Sequence, residues 1–178
     1  MRRNIFVIAT FMALVSTVSC GSRTASPEAS AGKEAPPVKA ESAPDSPPTV
    51  ALTMTSSIKN RHLTIKGTTD LPNGALISYE VRHEGAAIHT DVPMEKMFAD
   101  GNSVVEGGQY LADVNLEGWP RGELTVWVAF QTILGMSKHQ PPVLLTRFGE
   151  MGEKLTGANV SKAGYMKRVE LTEKLRLR

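Results

Sequence analysis

The chain has 178 residues, a length typical of one domain, with 41% apolar residues, 21% charged residues, 15 glycines and 11 prolines. That balance excludes a multi-span membrane protein, a collagen-like fibre and a coiled coil. A single cysteine excludes an internal disulfide framework or a thiolate-rich metal site, and a formal net charge of +2 gives no support to nucleic-acid binding.

Residues 1–19 divide into a basic start at Arg2 and Arg3, a mostly apolar stretch from Ile5 to Val18, and small residues before Cys20. A spanning helix needs about 20 apolar residues, so this shorter stretch reads as a signal-peptide core. The run Ser16-Thr17-Val18-Ser19-Cys20-Gly21 resembles the lipobox of bacterial lipoprotein precursors, although Thr17 stands where Leu is usual. The resemblance implies cleavage after Ser19, lipid attachment to Cys20, and anchoring in the cell envelope. Gly21 in place of Asp favours the outer membrane. Several acyl chains, each methylene worth about 0.8 kcal/mol when buried, would hold the protein firmly.

Residues 20–49 begin at the lipidated cysteine and continue as a tether. Within 21–49, Ala, Pro, Ser and Gly fill 19 of 29 positions, and Val38 is the only larger apolar residue. Such a segment buries too little surface to offset its ordering entropy, so disorder is expected. Its prolines stiffen it toward polyproline II, with a maximum reach of about 90 Å.

Residues 50–178 alternate with a period of two. Leu63 and Ile65 form one set, and Ile77, Tyr79 and Val81 a second. Tyr110, Ala112, Val114 and Leu116 form a third, and Leu124, Val126, Val128 and Phe130 a fourth. Tyr165, Val169, Leu171, Leu175 and Leu177 keep the same parity for thirteen residues at the C-terminus. Such alternation marks half-buried strands. Turn signals fall at Pro72-Asn73-Gly74, Glu84-Gly85, Asp100-Gly101, Gly107-Gly108 and Pro120-Arg121-Gly122.

About seven short strands so spaced predict an all-β, antiparallel immunoglobulin-like β-sandwich, with a barrel as the alternative. One segment changes rhythm. Leu144, Phe148, Met151 and Leu155 recur at three- or four-residue spacing after Pro141-Pro142, which predicts one short helix within 141–155, cut short by Gly149 and Gly152.

From residue 61 onward the chain resembles the Ig-like β-sandwich domains of secreted bacterial lipoproteins. The matching pieces run from Leu63 through Gly67-Thr68-Thr69-Asp70 to Ala75, then Gly122-Glu123-Leu124, Gln140-Pro141-Pro142, and Gly149 to Gly157. These are turn and framework residues, so the resemblance implies a fold and no activity.

Candidate chemistry is sparse. His62, His83, His89 and His139 show no metal-ligand spacing, and a surface position is the default for each. A two-residue turn at Glu84-Gly85 would pair Val81 with Ile88, putting His83 on the core face and His89 on the outer face, unable to share a metal. A blue-copper site needs a Cys thiolate, and the sole Cys lies in the lipobox. There is no nucleophile elbow or Walker loop, and Asp91/Glu95 and Asp113/Glu117 are acid pairs of a kind any such chain offers. No catalytic residue, metal or cofactor is expected.

Two surface features remain. Trp127 has parity opposite to the core residues of its strand and is the candidate partner contact, unless the 141–155 segment or a neighbouring strand covers it. The tail, with Lys162, Lys167, Arg168, Lys174, Arg176 and Arg178 against Glu170 and Glu173, would protect an edge strand or meet an anionic surface. The expectation is a non-catalytic binding or structural module, anchored to the membrane through Cys20, with an envelope protein or glycan as partner and no nucleic acid. The alternatives are an envelope enzyme acting on cell-wall or carbohydrate material with a loop-built site, and an accessory subunit of an envelope complex.

Overall fold

A computed structural model describes residues 47–135 and 138–178. The signal segment, Cys20 and nearly all of the tether lie outside the described residues. Eight strands form two antiparallel sheets. β1 (Thr55–Lys59), β2 (His62–Thr68) and β5 (Gln109–Asn115) make a three-stranded sheet in the order β1-β2-β5. β3 (Leu76–His83), β4 (Phe98–Val104), β6 (Gly122–Gln131), β7 (Val160–Ala163) and β8 (Met166–Leu177) make a five-stranded sheet in the order β4-β3-β6-β8-β7.

In the seven-strand immunoglobulin constant-type arrangement, the fourth strand lies beside the fifth. Here β4 has crossed to the opposite sheet and pairs with β3, while β7 adds an outer strand beyond β8. The domain is an immunoglobulin-like sandwich with these two changes.

The core forms because the inward parities of the two sheets meet. Leu63, Ile65, Tyr110, Ala112 and Val114 face Ile77, Val81, Leu124, Val126, Val128 and Phe130. One end is closed by Leu116 and Trp119 from the β5–β6 loop. The other end is plugged by α1 (Pro142–Phe148), whose Leu144 and Phe148 are buried and whose Phe148 ring meets Phe130 edge-on at 5.2 Å. Pro142 opens this helix, where a missing N–H costs nothing, and Gly149 (φ 88°) ends it after two turns. The expected helix is thus present but confined to the first half of 141–155.

Pairing along the chain corrects two turn assignments. Asp100-Gly101 is no turn: Gly101 lies inside β4 opposite Tyr79, with the phenol so close that a side chain at 101 would collide with it. Glu84-Gly85 is not a hairpin either. Val81 pairs with Ala99 and Val126, a long loop separates β3 from β4, and Ile88 is exposed. The strongest apolar match for Val81 lay beyond that loop, across β4 and β6.

The tail is also different from a charged edge. β8 is flanked by β6 along its length and by β7 over Met166–Val169. Past β7 its open flank is closed by Glu173, whose carboxylate accepts the Ser56 N–H (3.2 Å) and hydroxyl of β1. An inward-parity carboxylate, rather than the lysines and arginines, blocks strand addition there. Across the sandwich, the Ser103 hydroxyl of β4 donates to the Leu111 carbonyl of β5 (2.6 Å) and accepts its N–H (3.0 Å). Both flanks are therefore bridged by side chains where backbone ladders stop.

Candidate functional site

Trp127 lies at the centre of the outer face of the five-stranded sheet, between Glu80 of β3 and Thr172 of β8. It is half-buried. The cover comes from β8, not from the helical segment: Arg168 sets its guanidinium 5.0 Å from the ring centre, and the indole N–H donates to Glu170 (2.6 Å). Arg168 and Glu170 pair at 2.7 Å. Burial opposes ionisation of Glu170, but Ser161, the indole N–H and the Arg168 charge outweigh it and hold the carboxyl below its usual range. Next to this cluster, Gln131 donates to Ser78 (3.2 Å) and Ser78 to Asn102 (3.0 Å). The result is a fixed aromatic–charged patch of indole edge, guanidinium and carboxylate.

The outer face of the three-stranded sheet carries a groove of about 860 Å³. Register aligns Thr55, Lys66 and Leu111 in one row and Thr68 with Gln109 in the next, while Asn102 and Val104 of β4 form a wall. Thr53 and Thr68 share a hydroxyl–hydroxyl hydrogen bond of 2.8 Å at one end. Leu111 and Val104 remain 58% and 49% exposed, so apolar surface stands beside hydroxyl and amide groups, with Lys66 and Glu106 as the charged members of the lining. Beneath the groove, the buried Tyr110 hydroxyl donates to the Thr53 carbonyl (2.6 Å), and burial pushes its pKa up to about 12. Gly67 lets that phenol pass, since a side chain there would strike the Thr53 carbonyl and the Tyr110 ring.

The histidines require a correction. His62 and His139 are exposed, but His83 is only 2% exposed. Its Nδ1 accepts the Gly85 N–H at 2.9 Å. Without the two-residue hairpin, the chain folds back and brings His89 edge-on to His83 at 5.5 Å. The two rings are neighbours after all. Among the described residues, no group of three or more His, Cys, Asp or Glu side chains converges in a way that could hold a metal. Asp91, Glu95, Asp113 and Glu117 are all exposed, and Asp113 is occupied by the Thr64 hydroxyl (2.8 Å).

The groove residues were not singled out in the sequence. The signal was present in the outward parity of β2, where Thr64, Lys66 and Thr68 are polar without being uniformly charged. Only the register shows that Thr55, Gln109 and Leu111 join them. No protein-family model, curated protein or solved structure compared with this chain matches it.

Proposed function

We propose that the protein is a lipid-anchored envelope lipoprotein whose sandwich acts as a non-catalytic binding module, with an envelope glycan as its ligand. The observation that carries this reading is the groove on the three-stranded sheet. Sugar rings present apolar C–H faces and a fringe of hydroxyls, and Leu111 and Val104 beside Thr55, Thr68, Gln109 and Asn102 match both. Neutral hydroxyls and amides recognise such a ligand by direct and water-mediated hydrogen bonds.

A protein partner is the second reading, favoured by the Trp127–Arg168 pair, since Trp and Arg are the side chains most often dominant in protein interfaces. This corresponds to an accessory subunit of an envelope complex. The enzyme alternative has no comparable feature in its favour.

Titration of the full chain with soluble envelope glycan fragments, followed by calorimetry and by product analysis, tests the reading. Saturable binding without turnover, weakened at least tenfold by Gln109→Ala with Leu111→Ala, is expected. Product formation would establish the enzyme instead. Glycan binding lost in Trp127→Ala but intact in the groove variant would move the ligand to the other sheet.

A further inference from the structure

The basic side chains of the tail do not act as one patch. Lys167 donates to the carbonyls of Glu153 (2.9 Å) and Leu155 (3.1 Å), Arg168 pairs with Glu170, and Lys174 pairs with Glu123 at 2.7 Å. Among the described residues, Arg176 and Arg178 have no carboxylate within ion-pair distance. Both stand on the rim of a cleft of about 520 Å³ between the end of β8 and the β1–β2 turn. Asn60 and Arg61 form the other rim, with Ile58, Leu175 and Leu177 between them. Among the described residues, no acidic side chain lines the cleft.

The β1–β2 turn adds a second, independent observation. Asn60 (φ 50°) and Arg61 (φ 64°) are both left-handed. A two-residue hairpin of this kind favours Asn-Gly, and a side chain at its second position is strained. Arg61 occupies that position, and its Nη1 donates to the Trp119 carbonyl at 2.6 Å. That contact fixes the guanidinium while using one of its five donors. A strained position thus places a third arginine on the lining of the same cleft as Arg176 and Arg178.

We propose that this cleft is a binding site for a phosphate group. Planar guanidinium forks match phosphate oxygens in pairs, and three arginines on a lining with no acidic side chain among its described residues favour a multiply charged oxyanion. Ile58 and Leu175, partly buried at the base, suit the carbon part of a phosphoester. The site lies at the end of the sandwich opposite α1, away from the groove residues Thr53, Thr68 and Gln109, so it stands independently of the proposed glycan site.

The test uses the full chain carrying Cys20→Ser, so that no lipid anchor contributes. Calorimetric titration with inorganic pyrophosphate at low salt is compared among the parent, Arg176→Gln/Arg178→Gln, and Arg61→Gly. Arg61→Gly keeps the turn, because it creates the dipeptide that this geometry prefers, and near-UV circular dichroism checks the fold of each variant. Saturable binding that weakens at least tenfold in both variants, and falls as salt rises, is the expected result. Absence of saturable binding in the parent, or equal affinity in parent and variants, overturns the proposal. Sedimentation with phosphatidylglycerol vesicles against phosphatidylcholine vesicles identifies the source. Variant-sensitive vesicle binding assigns a lipid headgroup, and pyrophosphate binding alone assigns a free phosphate compound.

Discussion

Single side chains do much of the joining in this sandwich. Gln140 is the clearest instance: it is 2% exposed, accepts the Leu76 N–H through Oε1 (3.0 Å) and donates through Nε2 to the carbonyls of Leu76 and Gln131, both at 2.8 Å. It behaves as one more peptide unit between the ends of β3 and β6. Gln140→Ala strands three backbone groups, at about 1–3 kcal/mol for each one left buried and unpaired, so a loss of about 3 kcal/mol is expected in urea unfolding. The sequence marked Gln140-Pro141-Pro142 as a framework motif, but a glutamine's role depends on which carbonyls surround it.

Tyr110 makes a second residue-scale prediction. Its pKa is raised from 10.0 to about 12 by burial. The stability this group contributes is therefore complete below about pH 10 and is lost as pH rises through 12. Chemical denaturation from pH 9 to 12 should show a decline that Tyr110→Phe reduces. That variant starts less stable at pH 8, by about 1 kcal/mol for the lost bond to Thr53.

Whole strands were legible where the alternation was clean and hidden where polar atoms replaced apolar ones. β2, β3, β5 and β6 carry a row of apolar residues on one parity and were found from that alone. β4 reads Phe-Ala-Asp-Gly-Asn-Ser-Val and buries only Ser103, whose hydroxyl is satisfied by β5, so it looked like turn sequence. β1 was missed for the same reason: its buried residue is Ser56, matched by Glu173 at a separation of 117 residues. Local pattern cannot show a partner that distant. The two-residue hairpin failed, and with it the separation of His89 from His83, whereas His83 does lie on the core side where that register placed it.

β8 carries the prediction for the Trp127 patch. Because the Glu170 carboxyl is held below its usual range, it supports the fold above that range and the support is lost as pH falls through the lowered value. Near-UV circular dichroism of the indole should change in acid before global unfolding. Glu170→Gln should show the altered indole signal already at pH 7, with a flatter acid profile. Unchanged signals in both would mean that the pair does not hold the ring.

At the scale of the molecule, the sandwich has two faces, two bridged flanks and two closed ends, and each kind of surface does something different. The flanks exclude strand addition. Ser103→Ala and Glu173→Ala together should leave the fold intact at low concentration yet promote concentration-dependent association, measured by light scattering, because each removal exposes a strand edge. The outer faces carry the groove and the Trp127 patch, and one end carries the arginine cleft. Where the chain meets the sandwich, the Pro48 carbonyl accepts the Thr156 N–H (3.2 Å) and Thr49 bridges Thr156, so contact with the domain begins just before residue 50.

The fold supports a displayed binding module only if the chain is held at the membrane through Cys20. Intact mass and membrane fractionation of the wild type beside Cys20→Ser test that claim most directly. The account predicts a wild type shortened by residues 1–19, carrying added acyl mass and found in the membrane fraction, and a variant without acyl mass that leaves it. Identical mass additions and identical fractionation for the two chains would contradict it.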